Sequence, residues 1–153
     1  MKIIYDIETN GLVDTVSNIW IAVTKNIETN EMITFSDYDP DSKPLNELIP
    51  YLNKAEALIG HNIIAYDNVV LHKLLNWKPS NIKFIDTMIL SQMNNYRREG
   101  KHSLGNFGKI SRSLEVLYEG CLDLLIKRHY KLSMLLLNYV LNKLKINGSL
   151  IYN

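Results

Sequence analysis

The chain has 153 residues, of which 46% are hydrophobic and 22% are charged, a composition typical of one globular domain with a sizeable core. The single cysteine, Cys121, excludes an internal disulfide framework and is expected to be a small buried residue in a reducing compartment. The most apolar run, residues 132–141, is too short and too polar for a membrane span, and no signal peptide is visible. We therefore expect a cytoplasmic protein without a membrane partner.

The pattern of apolar and turn-forming residues predicts strands first, then alternating strands and helices. β-Branched and aromatic runs predict strands over residues 2–8, 18–24, 30–35, 57–60 and 83–86. Apolar residues at helical spacing predict helices over residues 45–57, 67–75 and 87–93, and Ser103 is a candidate N-cap of a further helix. Three antiparallel strands followed by this alternation predict an α/β fold, with a mixed sheet flanked by helices.

The net charge of +1 combines two oppositely charged parts. Residues 1–100 contain 9 Lys or Arg against 13 Asp or Glu, whereas residues 101–153 contain 8 against 3. An acidic body with a basic final third suits a protein that holds cations in one place and a polyanion next to it. A solvated basic helical surface explains the same numbers, so charge alone leaves both interpretations open.

Two carboxylates, Asp6 and Glu8, interrupt the first predicted strand. Strand side chains alternate between faces, so residues two apart project on the same side. Paired anions on an apolar strand repel each other unless a cation lies between them, and hard divalent cations prefer oxygen ligands. A strand with one wet face would also accommodate the pair, so a metal site needs support from a second motif.

That second motif follows the strand predicted over residues 57–60. His61, Asn62, Tyr66 and Asp67 lie where this strand ends and the next helix begins, which is the edge of an α/β sheet where ligands usually bind. Taken alone, the aspartate could be a helix N-cap, and the His-Asn pair could bond to local backbone. The combination of both motifs favours a functional site.

Together the two motifs resemble those of the DEDD 3′–5′ exonucleases, a family with a ribonuclease H-like fold. The matching residues are Asp6-x-Glu8-Thr9-x-x-Leu12 and His61-Asn62-x-x-x-Tyr66-Asp67, with further likeness in Ile85-Asp86-Thr87-x-x-Leu90-Ser91 and His102-Ser103-Leu104. The likeness is greatest to proofreading domains of bacteriophage A-family DNA polymerases. It covers residues 1–109 of one predicted domain, 1–153, and implies a stand-alone exonuclease acting on the 3′ ends of single-stranded DNA or RNA.

The resemblance implies that Asp6, Glu8 and Asp67 are catalytic residues and ligands of Mg²⁺ or Mn²⁺. Asp6 would bridge two ions, Glu8 would hold the ion that activates water, and Asp67 would ligate the second ion. Two such ions stabilise the attacking and leaving oxygens of an in-line displacement at phosphorus. Asp86 is an additional carboxylate, but the matching family segment is not a metal ligand, so we expect a structural, capping role for it.

The resemblance also implies a set of residues that bind nucleic acid. The backbone N–H of Thr9 would meet the terminal 3′-OH, and Leu12 would wedge against the last base, a contact suited to sequence-independent binding. Asn62 and Tyr66 would lie near the bound strand, with His61 at its rim. Three aromatic residues are expected to be core or partly exposed packing residues rather than base-stacking platforms: Trp20, Trp77 and Phe84.

The third family motif, a helical Tyr-x-x-x-Asp, has no intact counterpart after His102. The best match places Tyr139 on the motif tyrosine, which would orient the attacking water, and Lys143 where the fourth carboxylate should be. An ammonium there would neutralise Asp6 and Glu8 and compete with the water-activating ion. This predicts weak activity, a single bound metal, or no activity. The alternative fourth carboxylate is Asp123, but it follows Tyr118 by five residues, which is the wrong spacing for one helical face. Glu115 and Glu119 are further candidates that nothing singles out.

Residues 110–133 match nothing expected of the family, and residues 110–153 are predicted to form a divergent helical C-terminal part. Their dense Leu content exceeds what one amphipathic face needs, so we expect self-association through these helices. Two other functions stay open: a catalytically degenerate module that binds nucleic acid or a protein, which Lys143 favours, and a structure-selective endonuclease of the same broad fold. Residues 9–12 and 61–62 resemble parts that grip a strand terminus, which argues against the endonuclease.

Overall fold

A computed structural model describes residues 1–97 and 102–106 of the chain. The chain divides after Asp86, so that Met1–Asp86 forms one compact unit and the described residues from Thr87 onward belong to a second. Tyr139, Lys143 and the Leu-rich part predicted for self-association lie outside the described residues. Their roles therefore stay predictions, as does the single domain with a family-like part ending near residue 109.

The first unit is built on a five-stranded sheet. Its strands are β1 (Lys2–Thr9), β2 (Ile19–Asn26), β3 (Met32–Phe35), β4 (Ala57–Gly60) and β5 (Lys83–Asp86). They lie in the order β3-β2-β1-β4-β5, with β2 antiparallel to β1 and β3, and with β4 parallel to β1 and β5. This arrangement confirms the predicted mixed sheet whose first three strands are antiparallel.

Two helices of this unit, α1 (Leu48–Leu52) and α2 (Asp67–Leu75), supply apolar side chains to the core. The buried cluster combines them with residues from the central strands: Leu48, Leu52, Val70, Leu71, Ile3, Tyr5, Ala22 and Leu58. Each fully buried side chain of this size contributes about 1.5–3 kcal/mol, so β1 is firmly held at the centre of the sheet. Within residues 1–97 and 102–106, no helix is long and apolar enough to cross a membrane.

The second unit begins with α3 (Thr87–Asn94). Ser91 Oγ and His102 Nδ1 form a hydrogen bond at 2.8 Å, which joins this helix to the described residues 102–106. The backbone N–H of Asn106 donates to Ser103 Oγ at 3.4 Å. This is the contact expected of the predicted N-cap.

The helix predicted over residues 45–57 is wrong in length. The chain forms a short 3₁₀ turn at Leu45–Glu47, followed by α1, which ends at Leu52. The next residues must connect to β4, where Ala57 pairs with Lys2 of β1. Tertiary pairing therefore overrides the local helical pattern in this segment.

The first three strands also differ from the prediction at their ends, and the strand predicted over residues 2–8 extends to Thr9. The strand predicted over residues 18–24 extends to Asn26, because its pairing with β1 continues to that residue. The strand predicted over residues 30–35 begins at Met32, because Asn30 has a φ of 60° and belongs to the hairpin turn. Asparagine tolerates this left-handed conformation better than most residues.

Gly60 ends β4 at a point where the chain has no room for a side chain. A Cβ at this position would lie 2.1 Å from Ile63 Cγ2 and 2.9 Å from the carbonyl oxygen of Tyr5. Real side chains do not make contacts this short, so glycine is what lets the loop after β4 lie against β1. The second acidic motif is thereby brought to the strand that carries the first.

Candidate metal and nucleic-acid site

The two sequence motifs meet at β1. Asp67 is the first residue of α2, and its Oδ1 accepts a hydrogen bond from the backbone N–H of Ile7 at 3.1 Å. Ile7 lies between Asp6 and Glu8, which are both half-buried. The start of α2 therefore places a third acidic side chain beside the pair on β1.

Asp67 is only 3% exposed, so its charged form is poorly solvated. Burial raises the pKa of its carboxyl well above the ordinary value, and the negative charge of Asp6 raises it further. Hydrogen bonds from the N–H groups of Ile7 and of Asp67 itself lower this pKa, and the charge of Asp86 raises it, so the net shift is upward. A bound cation would relieve both the repulsion and the poor solvation of these carboxylates.

Tyr5 and Asn68 also belong to this site, although the sequence motifs do not indicate them. The buried Tyr5 hydroxyl donates a hydrogen bond to Asn68 Oδ1. Burial raises the pKa of Tyr5 well above its ordinary value, and the charges of Asp67, Asp6 and Asp86 add to the shift. The hydroxyl therefore stays protonated and anchors the first turn of α2. The only sequence signal for Asn68 is its position next to Asp67.

The chemistry of these donors fits a hard divalent cation. The charge of Asp6 is close enough to raise the pKa of Asp67, and Glu8 lies on the same strand face as Asp6. Across the described residues, no group of three or more His, Cys, Asp or Glu side chains is arranged to hold a metal ion. Mg²⁺ is commonly held by one or two carboxylates, with water and phosphate oxygens completing its shell. One or two of these carboxylates could therefore bind an ion only if other oxygen ligands completed its coordination shell.

The turn after β1 is tied to the residue that precedes α2. Thr9 Oγ1 and Tyr66 Oη share a hydrogen bond. Thr9 Oγ1 and Tyr66 Oη also lie 3.0 and 2.6 Å from the carbonyl oxygen of Gly11. Because the two hydroxyls have one hydrogen each, two of these three contacts are hydrogen bonds at any one time. Two residues predicted to bind nucleic acid, one from each motif, are therefore in direct contact.

Leu12, predicted to contact the last base, is 77% exposed. The loop that carries it is held on both sides. Asn10 Oδ1 accepts two backbone N–H groups from the far end of the loop, at 3.0 Å each. Lys73 on α2 donates from Nζ to the carbonyl oxygens of Val13 and Asp14 at 2.8 and 3.1 Å. The exposed leucine is therefore presented from a loop with several fixed points.

Asp86 holds the loop that follows β4. The backbone N–H of Asn62 donates to Oδ1 of Asp86 at 2.9 Å, and that of Ile64 donates to Oδ2 at 3.1 Å. Asn62 has a φ of 66°, and both Asn62 and His61 are half-buried. These contacts agree with the structural role expected of Asp86. They arise across the sheet, so the position of Asp86 before a helix does not indicate them.

Of the three aromatic residues predicted to serve packing, Trp77 and Phe84 pack against each other. Trp77 is buried, and its ring meets that of the half-buried Phe84 edge-on, with centroids 6.1 Å apart. The indole N–H of Trp77 donates to Asn53 Oδ1 at 2.9 Å. Trp20 differs from both, because it is 49% exposed. Its indole is not part of the core.

No protein-family model matches this sequence, and no curated protein matches it.

Within the first unit, the predicted site residues lie at the ends of two neighbouring strands and in the segments that follow them: Asp6, Glu8, Thr9, Leu12, His61, Asn62, Tyr66 and Asp67. Adjacent parallel strands end at the same edge of a sheet, which is why β1 and β4 bring both motifs to one edge. Tyr139, the remaining predicted catalytic residue, lies outside the described residues.

Proposed function

We propose that the protein is a metal-dependent 3′–5′ exonuclease that hydrolyses phosphodiester bonds at the 3′ end of single-stranded DNA or RNA, with Mg²⁺ or Mn²⁺ as its cofactor. The strand order β3-β2-β1-β4-β5, with three antiparallel strands and then two parallel ones, supports a ribonuclease H-like fold for this enzyme. A fold does not determine an activity, so the proposal depends on the site.

The observation that carries the proposal is the hydrogen bond from the backbone N–H of Ile7 to the buried carboxylate of Asp67. On a solvent-exposed strand face, or at a solvent-exposed helix N-cap, the carboxylate would be hydrated. Asp67 is instead buried within reach of the charge of Asp6, where ionisation is unfavourable without a compensating cation. Carboxyl groups with a pKa perturbed by burial and by a specific charged neighbour are typical of functional sites.

The chain's own residues would divide the work in the following way. Asp6, Glu8 and Asp67 would supply the carboxylate ligands, with no more than two of them on any one ion and with water and phosphate oxygens as its other ligands. When bound, Mg²⁺ or Mn²⁺ supplies a nucleophilic hydroxide near neutral pH and stabilises negative charge on the leaving oxygen. The exposed side chain of Leu12 contacts the terminal base without reading its sequence. The family resemblance implies that Tyr139 would orient the attacking water.

Cleavage of a 5′-labelled single strand tests this function directly. The wild type, in magnesium and then in manganese, should produce a ladder that shortens from the 3′ end. The Asp6→Asn and Glu8→Gln variants should produce none, because an amide is a much weaker metal ligand than a carboxylate. Glu47→Gln is the matched control, because Glu47 is exposed on the 3₁₀ turn and should leave the ladder unchanged.

Two results would contradict the proposed exonuclease. Cleavage retained in Asp6→Asn would show that the activity comes from another site or from a contaminant. Folded wild type that yields no ladder in either metal would argue against catalysis altogether. Fragments cut from the interior of the strand would instead indicate an endonuclease.

A second candidate function is a binding module that has the same fold but has lost catalysis. The observation that favours it is Lys143, which stands where the family's fourth carboxylate is expected. If Lys143 occupies that position, Lys143→Asp should raise the nuclease activity in magnesium. An unchanged or lower rate would show that Lys143 lies elsewhere.

A further inference from the structure

Trp20 is the extra residue of a β-bulge beside the proposed site. From Ile3 to Glu8, β1 pairs with β2 in one unbroken register, which would set Thr9 opposite Trp20. Thr9 is instead paired with Ile19, so the register skips Trp20. Bulges are frequent next to active sites, where they redirect a side chain.

The backbone around this bulge is fixed, although the indole of Trp20 is 49% exposed. Ser36 Oγ donates to the carbonyl oxygen of Trp20 at 2.6 Å and accepts from the backbone N–H of Tyr38 at 3.0 Å. The Tyr38 hydroxyl accepts from Asn18 Nδ2 at 2.7 Å, while its side chain is 67% exposed. One serine hydroxyl therefore holds two exposed aromatic residues at the same end of the sheet.

We infer that Trp20 and Tyr38, here called the aromatic platform, stack against unpaired bases of a single-stranded nucleic acid whose 3′ end lies at Asp6 and Glu8. This inference rests on the proposed function and adds a substrate-binding subsite to it. Leu12 takes the terminal base, and the aromatic platform takes bases that precede it. Stacking accepts any base, because every base has a π-face, and so suits an enzyme that degrades strands of any sequence.

Position and size both favour this occupant over a protein. The bulge lies opposite the Glu8–Thr9 step, where the terminal nucleotide is proposed to bind, so Trp20 and that nucleotide are at the same end of the sheet. Two exposed aromatic side chains cover far less area than a stable protein interface needs. They do match the size of one or two stacked bases, each of which contributes enough to change affinity measurably.

Fluorescence and binding, measured together, test the aromatic platform. A dye-labelled single-stranded thymidine oligomer is titrated with protein in EDTA, so that no cleavage occurs, and its anisotropy gives the affinity. The chain has two tryptophans, and Trp77 is buried, so stacking on Trp20 should quench part of the intrinsic fluorescence. Trp20→Phe should bind the oligomer nearly as well as the wild type but lose this quenching, because phenylalanine keeps a stacking face.

Trp20→Ala should weaken binding by roughly 5- to 150-fold, the factor that corresponds to the loss of one stacked base. In a cleavage assay with magnesium, the same variant should raise KM while kcat changes little. Tyr38→Ala should weaken binding in the same direction. Ile27→Ala is the control, because Ile27 is also a partly exposed apolar residue but follows the opposite end of β2.

The outcomes separate this inference from the proposed function. Normal cleavage by the wild type, with no quenching and with unchanged affinity in Trp20→Ala, would overturn the aromatic platform and leave the exonuclease intact. No binding and no cleavage by folded wild type would overturn both. Binding with quenching but without cleavage would support the aromatic platform in the binding-module form of the protein.

Discussion

Replacing Asp67 by Asn should make the metal-free protein more stable at neutral pH, whereas replacing it by Ala should give less benefit or none. Asn keeps an oxygen that can accept the N–H of Ile7, which bonds to Oδ1 at 3.1 Å in the wild type, and it removes the buried charge. Ala leaves that N–H without its acceptor at a position that is only 3% exposed. A buried donor left unsatisfied costs about 1–3 kcal/mol, so the two variants should differ by about this amount.

The pH dependence of this effect has a definite sign. Burial and the charge of Asp6 raise the pKa of Asp67 in the folded state, so ionisation of this carboxyl opposes folding. The protonated Asp67 carboxyl contributes fully to the stability of the folded state below the unfolded-state pKa of about 3.9. That contribution is lost as pH rises through the raised folded-state pKa. Over this window the wild type should lose stability relative to Asp67→Asn.

Thermal unfolding followed by circular dichroism measures both effects. For a chain of this length, 1 kcal/mol corresponds to about 2–4 °C in Tm, so Asp67→Asn and Asp67→Ala should differ by roughly 2–12 °C. Magnesium should raise the Tm of the wild type and change that of Asp67→Asn much less, because the variant has lost a ligand charge. A metal-free wild type that is more stable than Asp67→Asn at about pH 8 would refute the reasoning from buried charge.

Three further substitutions test how the loops around the site are held. Gly60→Ala should destabilise the protein by about 1–3 kcal/mol in urea unfolding, because its Cβ would lie 2.1 Å from Ile63 Cγ2. An unchanged unfolding midpoint would mean that the loop after β4 can shift to make room for the methyl group. Asn10→Ala should speed amide hydrogen exchange in the loop that carries Leu12, because the variant lacks three side-chain hydrogen bonds. Equal exchange rates in the wild type and the variant would show that the Asn10 side chain does not anchor this loop. Trp77→Phe should lower the free energy of unfolding by about 1–2 kcal/mol, because the variant loses the indole hydrogen bond and leaves a small cavity. A variant as stable as the wild type would show that neither the hydrogen bond nor the cavity affects stability.

The elements with clear local signals could be predicted from the sequence. β4 is a short apolar run and β5 has two apolar residues at its centre, and both strands begin and end where the residue pattern predicts. α2 also has its predicted bounds, because Asp67 opens an unbroken helical pattern that Leu75 ends. The helix predicted over residues 45–57 was wrong, since strand pairing at Ala57 ended a pattern that was helical by local criteria alone.

The contacts inside the candidate site could be predicted only in part. The spacing of Asp6 and Glu8 follows from strand geometry, and the likeness of both motifs to one family indicates that Asp67 joins them. The bonds of Asp86 to the loop after β4 depend on how distant strands are aligned, and no local pattern encodes them. The bulge at Trp20 is a property of the pairing between two strands, so neither strand's sequence shows it alone.

The order of strands in the sheet has a consequence for how the site assembles during folding. β1, β2 and β3 are neighbours in both sequence and space, so Asp6 and Glu8 sit in a meander with short loops to close. The parallel pairing of β1 with β4 joins segments that are far apart in the chain, and closing so long a loop is slow. We therefore expect the third carboxylate to reach the other two only when this long-range pairing forms. In earlier steps the acidic pair would stay hydrated, and the unfavourable burial of Asp67 would arise late, when the rest of the core is there to compensate it.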